Sequence, residues 1–180
     1  MIKVWITDDH QVELEGLRIL LDGEQEIQVA QCFRSAPQLI SALKEGLPDV
    51  VLLDINMPDM NGIEACKIIK KEYPDLKIIA LSMISESNLI KLMLKNGADG
   101  YLHKNAGKDE IIEAIMDVQQ GKKYLSQEIS DIIIGQEHKD ERGEERHSNG
   151  QGAVVPNHRE HVGNDRRPTR QGRMLAVDHG

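Results

Sequence analysis

Two kinds of hydrophobic pattern alternate along residues 1–121 of the chain. Short runs, either alternating with polar positions or apolar throughout, predict β-strands, and between them apolar residues recur at the spacing of an amphipathic helix. The predicted strands cover residues 2–7, 27–33, 50–54, 76–81 and 100–102. Since these strands alternate with helices through short connections, the pattern predicts a five-stranded, parallel, doubly wound α/β sheet with right-handed crossovers.

The run from Val50 to Leu53 is apolar throughout, and it ends in the carboxylate of Asp54. Such a run, bounded by turn residues, predicts a central strand that is buried on both faces. Open α/β sheets bind ligands beyond the carboxyl ends of their strands, and the loop 55–61 that follows is rich in turn-forming residues. The sequence therefore predicts that Asp54 is presented to solvent on a rigid base.

Charged and polar side chains close several of the other predicted strands. Asp8 and Asp9 follow the first strand, Ser82 follows the fourth, and Lys104 follows the fifth. With the strand order 2-1-3-4-5, these groups converge on Asp54. Carboxylates so close together repel one another unless a cation intervenes, and hard oxygen ligands of this kind suit Mg²⁺. Because a lysine and a hydroxyl can contact phosphoryl oxygens, the cluster predicts that Asp54 is a nucleophile that becomes an aspartyl phosphate.

Charge and composition narrow the class of protein. Residues 1–136 hold 14 Lys and Arg against 22 Asp and Glu, which accounts for the whole net charge of −8, and residues 137–180 hold eight of each. An acidic folded part does not favour nonspecific nucleic-acid binding. No stretch is long and apolar enough to span a membrane, and the chain enters its first strand without a signal peptide. With Cys32 and Cys66 far apart, we expect a cytoplasmic protein with reduced thiols.

Four segments of the sequence together resemble the receiver domain of two-component response regulators. They are Asp8-Asp9, Asp54-Ile55-Asn56-Met57-Pro58-Asp59-Met60-Asn61-Gly62, Ala80-Leu81-Ser82 and Gly97-Ala98-Asp99-Gly100-Tyr101-Leu102-His103-Lys104. The resemblance covers residues 1 to about 121, and the segments are highly specific as an ordered set. Asp8-Asp9-His10 with Gly16-Leu17, and Gly121-Lys122-Lys123-Tyr124-Leu125-Ser126, further resemble the NarL/LuxR-type subgroup.

The resemblance implies a flavodoxin-like receiver fold and a phosphorelay function. A sensor histidine kinase would transfer a phosphoryl group to Asp54, the phosphoacceptor. The protein would be a response regulator and a signalling switch, and not a turnover enzyme. Mg²⁺ would be held by Asp8, Asp9, Asp54 and the backbone carbonyl of Asn56.

The same resemblance assigns the residues that respond to phosphorylation. Lys104 and Ser82 would contact the phosphoryl group, and Ser82 and Tyr101 would form a switch pair in which Tyr101 moves inward. The change would remodel the face of the fourth helix and fifth strand, where a second receiver could dock to form a homodimer. The receiver domain would span residues 1–121.

The remainder of the chain differs in character. Residues 122–136 carry one more apolar stripe and are interpreted as a short helix or linker. Residues 137–180 show neither the helical nor the strand spacing of apolar residues, which predicts a disordered tail. The NarL/LuxR-type subgroup carries a C-terminal helix-turn-helix domain, and no pair of amphipathic helices after residue 136 matches one. We interpret the tail as a truncated or frame-shifted reading of that region, which argues against DNA binding by this chain.

Two other functions share part of the pattern. A phosphatase of the haloacid-dehalogenase type also uses an Asp nucleophile after an apolar strand, but it needs a second acid two residues later, where this chain has Asn56. A DNA-binding transcriptional regulator of the NarL/LuxR type shares the receiver, and its output domain would be truncated or misread here. Beside the acids, His10 is interpreted as a surface or helix-start residue rather than a metal ligand.

Overall fold

The computed structural model describes residues 1–83 and 86–135. The strands are β1 Ile2–Thr7, β2 Ile27–Phe33, β3 Val50–Asp54, β4 Lys77–Ser82, β5 Gly100–His103 and β6 Tyr124–Leu125. The helices are α1 Gln11–Leu21, α2 Ala36–Leu43, α3 Gly62–Glu72, α4 Ser87–Lys95 and α5 Lys108–Gln119. A further helix, α6, begins at residue 127, and the structure describes it as far as residue 135. The predicted alternation of strands and helices is confirmed over this part of the chain.

The described strands form one parallel sheet with the order β2-β1-β3-β4-β5-β6. The predicted order 2-1-3-4-5 is therefore confirmed, and β6 adds a sixth strand at the edge beside β5. The interpretation of residues 122–136 as a short helix or linker, which rested on their apolar stripe, did not include this strand, because two residues are too few to show a strand period. The backbone N–H of Tyr124 donates to the carbonyl of Asp99 at 3.0 Å, and this pairing begins the short strand.

Helices cover both faces of the sheet, and all five residues of β3 are buried between them. The core on one face joins the sheet to α2, α3, α4 and α6, and includes Leu39, Cys66, Ile90, Tyr101 and Ile129. The core on the other face joins the sheet to α1 and α5, and includes Ile6, Leu14, Leu52, Leu102 and Ile115. Because β3 is packed on both faces, its carboxyl end is a rigid support for Asp54.

Gly62 allows α3 to start against the loop that carries Asp54. A Cβ atom at this position would lie 2.3 Å from the Asp54 carbonyl oxygen and 2.8 Å from the Ile55 Cα. The Gly62 N–H donates to the Ile55 carbonyl at 2.8 Å, and the Asn61 side chain caps the helix by accepting from the Glu64 N–H at 2.9 Å. A glycine therefore brings the start of the helix directly onto the end of the central strand.

Three other expectations concern the chain as a whole. No helix in residues 1–83 and 86–135 is both long and apolar enough to cross a bilayer. Cys32 is exposed, Cys66 is buried, and both are free thiols. The predicted disorder of residues 137–180 and the interpretation of that segment as a truncated or frame-shifted reading lie outside the described residues.

Candidate functional site

The carboxyl ends of β1, β3 and β5 bring the predicted acids and the predicted lysine together. Single ligand atoms of Asp8, Asp9, His10 and Asp54 all lie within 4.8 Å of one another. The Nζ atom of Lys104 lies 2.7 Å from Asp8 Oδ2 and 3.2 Å from Asp54 Oδ1. This juxtaposition follows from the strand order, because parallel strands end at the same edge of a sheet.

Asp54 is buried, whereas the sequence analysis expected it to be presented to solvent. Its exposed fraction is 0%, and the Asp8 side chain beside it is 1% exposed. The expectation was wrong because it considered only the strand end and the turn-rich loop. The Asp8 side chain follows β1 and the Lys104 side chain follows β5, and both lie beside the carboxylate. The start of α3 closes over the Asp54 backbone at Gly62.

Burial and a neighbouring acid change the acidity of Asp54. Desolvation and the charge of Asp8 raise its pKa to about 6, against the opposing effects of the Asn56 N–H and the Lys104 ammonium. The Asn56 N–H donates to Asp54 Oδ1 at 3.1 Å. Asp54 Oδ2 is buried and has no hydrogen-bond partner among the described residues. A buried oxygen without a partner is costly, and a cation bound among the neighbouring carboxylates would stabilise it.

Lys104 is the cation in the cluster of acids. Desolvation lowers the pKa of its ammonium group, but its hydrogen bonds to Asp8 and Glu13 outweigh that effect, so the net pKa is raised above its ordinary value. Its side chain is 9% exposed. Lys104 therefore remains charged at neutral pH and is held with its ammonium group against Asp54.

Sequence reasoning missed Glu13, which contacts the Lys104 ammonium from the first turn of α1. The signal was present in the sequence. A helix that begins directly after Asp8 and Asp9 places its first turn above the same edge of the sheet. An acid at that turn therefore comes within reach of a lysine that follows β5.

His10 lies at the N-cap position of α1, as its interpretation as a helix-start residue predicted. Its Nδ1 atom also lies 3.3 Å from Asp8 Oδ1 and 3.2 Å from Asp9 Oδ1, with the side chain 62% exposed. The imidazole therefore belongs to the rim of the acidic cluster, although the sequence analysis set it apart from the metal ligands.

Ser82 and Tyr101 are both fully buried near this site. Ser82 ends β4, one residue beyond Leu81, which is the register partner of Asp54. Burial raises the pKa of the Tyr101 phenol, and a hydrogen bond from the Ser82 side chain opposes that change. The two hydroxyl groups are therefore in contact. Since the Tyr101 ring already lies inside the core, any movement of this residue starts from a covered position and not from an exposed one.

A cavity of about 380 Å³ opens between α1 and α5 beside the charged cluster. Asp8, Glu13 and Lys104 contribute charged groups to its wall, and Leu17 and Ile111 are among its apolar residues. Its volume lies within the range of small-ligand sites. The acidic cluster as a whole offers hard oxygen ligands of the kind that hold a divalent cation, so the residues fit a metal site.

Comparison with known proteins gives a consistent result. The family model described as "Response regulator receiver domain" matches residues 4–116. The chain is 36% identical over 133 residues to the transcriptional regulatory protein DegU of Brevibacillus brevis, which covers 74% of this chain and 56% of that protein. It is 38% identical over 136 residues to the transcriptional regulatory protein LnrK of Bacillus subtilis (strain 168), which covers 76% of this chain and 62% of that protein. The match thus spans about three fifths of each relative.

Solved structures show the same similarity in three dimensions. A two-component response regulator of the LuxR family from Aurantimonas sp. SI85-9A1 superposes with a TM-score of 0.73 at 26% identity, covering 76% of this chain and 98% of that one. The structure of two RcsB dimers bound to two parallel DNAs contains a chain that superposes with a TM-score of 0.68 at 28% identity. That match covers 73% of this chain and 67% of the RcsB chain.

Proposed function

Because this chain belongs to the response regulator receiver domain family, we propose that Asp54 accepts a phosphoryl group from the phosphohistidine of a sensor kinase. The observation that carries the proposal is the position of Asp54 at the end of the central strand. One of its oxygens is buried and has no hydrogen-bond partner within residues 1–83 and 86–135, and the Lys104 ammonium lies 3.2 Å from the other. The Asp54 carboxylate, a nucleophile, and the Lys104 ammonium, a fixed positive charge, are thus adjacent, as phosphoryl transfer requires.

The transfer can be written from the side chains at the site. An Asp54 carboxylate oxygen attacks phosphorus, a phosphorus–oxygen bond forms, and the phosphorus–nitrogen bond of the phosphohistidine breaks. The bonding electron pair leaves with the imidazole nitrogen, which takes up a proton from solvent. With a small acyl phosphate as donor, the leaving group is the carboxylate. Lys104 offsets the charge on the phosphoryl oxygens, and its raised pKa keeps it protonated throughout.

The acidic cluster is proposed to hold Mg²⁺. Asp8, Asp9 and Asp54 would supply carboxylate oxygens, and the backbone carbonyl of Asn56 would supply a further ligand. The buried Asp54 Oδ2 supports this assignment, because it has no hydrogen-bond partner in the described part of the chain. When bound, the ion would supply positive charge that offsets the repulsion between the carboxylates and the incoming phosphoryl oxygens.

The chain is proposed to act as a switch rather than as a turnover enzyme. Its relatives are response regulators, and two residues after Asp54 the chain carries Asn56, whose amide cannot act as a general base toward water. The phosphoryl group would therefore persist long enough to be sensed. Ser82 would turn to a phosphoryl oxygen, and Tyr101, which Ser82 now contacts, would rearrange inside the core.

The names of the relatives and one exposed surface suggest how phosphorylation of this chain would be passed on. DegU and LnrK are named as transcriptional regulatory proteins, and RcsB forms dimers on DNA in its structure. Homodimerisation of this chain through the outward face of α4 and β5 is consistent with Leu92, which is 43% exposed on α4. Transcription regulation would depend on a DNA-binding segment, and we expect no specific DNA binding from the sequence of residues 137–180. The reaction belongs in the cytoplasm, where histidine kinases obtain ATP.

Intact-mass measurement tests the proposed function. The chain should gain one phosphoryl mass when incubated with acetyl phosphate and Mg²⁺, and the gain should disappear in excess chelator. Asp54→Asn should abolish the gain, whereas Asp59→Asn, in the same loop but exposed, should leave it unchanged. A full adduct on Asp54→Asn, or equal labelling with and without chelator, would contradict the assignment.

A further inference from the structure

Glu13 contacts the lysine of the site but stands apart from the metal-binding acids. It lies in the first turn of α1, and its carboxylate accepts a hydrogen bond from the Lys104 ammonium. Among the described residues, the ligand atoms that could share one metal ion belong to Asp8, Asp9, His10 and Asp54. Any influence of Glu13 on the chemistry therefore acts through Lys104 and not through a bound ion.

The Lys104 ammonium has a carboxylate partner for each of its three N–H donors. Asp8 Oδ2 accepts a hydrogen bond at 2.7 Å, Glu13 Oε2 accepts another, and Asp54 Oδ1 lies 3.2 Å from the nitrogen. A phosphoryl oxygen on Asp54 would thus meet an ammonium group that is already surrounded by acceptors. One of these acceptors must give way before the phosphoryl oxygen can take a hydrogen bond from Lys104.

Glu13 is the acceptor that can leave at the lowest cost. Its side chain is 40% exposed, whereas those of Asp8 and Asp54 are 1% and 0% exposed. Because Glu13 also borders the cavity between α1 and α5, its carboxylate can be hydrated when it turns away from the ammonium. The next residue, Leu14, is buried in the core beneath α1 and holds the helix in place. Release of Lys104 therefore needs only a side-chain rotation.

We propose that Glu13 is a latch on Lys104 that slows the phosphorylation of Asp54. This inference rests on the proposed function, in which Lys104 offsets the charge of the phosphoryl oxygens. While the latch is closed, Glu13 occupies one donor of the ammonium and offsets its positive charge. When a phosphoryl oxygen takes this donor, Glu13 turns to water. Glu13 is thus a positioning residue that changes the rate without touching the reacting atoms.

The sign of its effect distinguishes a latch from a support. If Glu13 served only to orient Lys104, its removal would slow phosphorylation, because the ammonium would be less well placed. Lys104 has other restraints, however, since its side chain is 9% exposed and Asp8 holds it at 2.7 Å. With Glu13 gone, the ammonium should remain beside Asp54 with one donor free, and phosphorylation should become faster.

Phosphorylation kinetics of the full chain test the proposal. Glu13→Gln keeps the size of the side chain and removes its charge. With acetyl phosphate and saturating Mg²⁺, followed by intact mass, the variant should gain the adduct about fivefold faster than the parent, which corresponds to about 1 kcal/mol in the barrier. Beryllium fluoride, an anionic mimic of the phosphoryl group, should also bind the variant about fivefold more tightly in a ¹⁹F NMR titration, whereas loss of a support would weaken its binding.

Glu15→Gln is the matched control, because it removes the same charge from the same helix. Glu15 is exposed, and it accepts from Gln11 Nε2 at 2.8 Å rather than from Lys104. This variant should gain the adduct at the rate of the parent. A Glu13→Gln rate equal to that of Glu15→Gln, or lower than that of the parent, would overturn the latch. The absence of an adduct on the parent would instead contradict the proposed function.

Discussion

Asp54 and Asp99 are both buried carboxylates, and their surroundings shift their pKa values in opposite directions. Desolvation raises the pKa of each group. At Asp54 the charge of Asp8 adds to that effect, and the pKa reaches about 6. At Asp99, hydrogen bonds from Lys70, the Ile78 N–H and Lys123 outweigh desolvation, and the pKa falls below its ordinary value. A carboxyl group with a raised pKa, such as Asp54 at the carboxyl edge of the sheet, is typical of a reactive site. A fully hydrogen-bonded carboxylate with a lowered pKa, such as Asp99 at the opposite edge, is typical of a group that stabilises the fold.

Replacing Asp99 by Asn should lower the free energy of unfolding by about 1.5–3 kcal/mol at pH 7, because it removes charged hydrogen bonds from a side chain that is 9% exposed. The folded-state pKa of Asp99 is lowered, so its contribution is present above the unfolded pKa of about 3.9 and is lost as the pH falls through the folded value. Urea unfolding of the parent and variant between pH 7 and pH 3 should therefore show a difference that shrinks toward acid.

The matched control for this prediction is Asp117→Asn. Asp117 pairs with Lys122 at 3.2 Å, but the two side chains are 30% and 59% exposed. Exposed ion pairs contribute about 0.2–1 kcal/mol at most, so this variant should unfold close to the parent at every pH. A loss for Asp99→Asn no larger than that for Asp117→Asn would show that the buried carboxylate does not stabilise the fold.

At the scale of single elements, two glycines at helical positions have opposite surroundings. Gly62 begins α3, where an added Cβ would lie 2.3 Å from the backbone oxygen of Asp54, whereas nothing lies within 4 Å of a Cβ at Gly16 in α1. Gly62→Ala must displace backbone and should cost about 1–3 kcal/mol. Gly16→Ala should instead stabilise the protein by about 0.5–1 kcal/mol, because alanine favours helix more than glycine does.

Thermal unfolding of both variants checks this pair of predictions, and phosphoryl uptake gives a second readout. Since the displaced backbone belongs to Asp54 and Ile55, Gly62→Ala should also slow the uptake of phosphoryl from acetyl phosphate. Gly16→Ala should not do so through any contact in the described structure. An unchanged melting temperature for Gly62→Ala would mean that the start of α3 shifts without cost.

The positions of the site residues at the strand ends were predictable, because they depend only on the hydrophobic pattern and on the strand order. The apolar run before Asp54 identifies a buried parallel strand, and the strand order then places Asp8 and Lys104 at the same edge. The burial of Asp54 was not predictable in this way, since it depends on how three connections pack. Strand β6 was missed for a different reason: Tyr124 and Leu125 pair with β5 through tertiary contacts, and no local period marks so short a strand.

At the scale of the whole molecule, the predicted domain boundary at residue 121 separates segments that the structure joins. Residues 124 and 125 extend the sheet beside β5, and α6 covers the core on the same side as α4. We therefore propose a receiver unit of residues 1–135, in which Lys123 and Ile129 attach the last segment to the sheet. Leu92 on α4 remains 43% exposed in this unit, so the proposed docking surface for a second copy is still accessible.

Two truncated chains test this boundary. A chain that ends at residue 136 should unfold within about 0.5 kcal/mol of the full chain, because residues 137–180 carry few apolar side chains to bury. A chain that ends at residue 121 loses the buried Ile129, at about 1.5–3 kcal/mol, and the Lys123 contacts with Asp99 and Ala98. Its melting temperature should fall by roughly 6–12 °C, because each kcal/mol lowers the melting temperature by about 4 °C in a domain whose size lies between 100 and 150 residues. Equal melting temperatures for the two truncated chains would show that the receiver domain ends at residue 121. A large loss of stability in the chain that ends at residue 136 would show that residues after 136 belong to the fold.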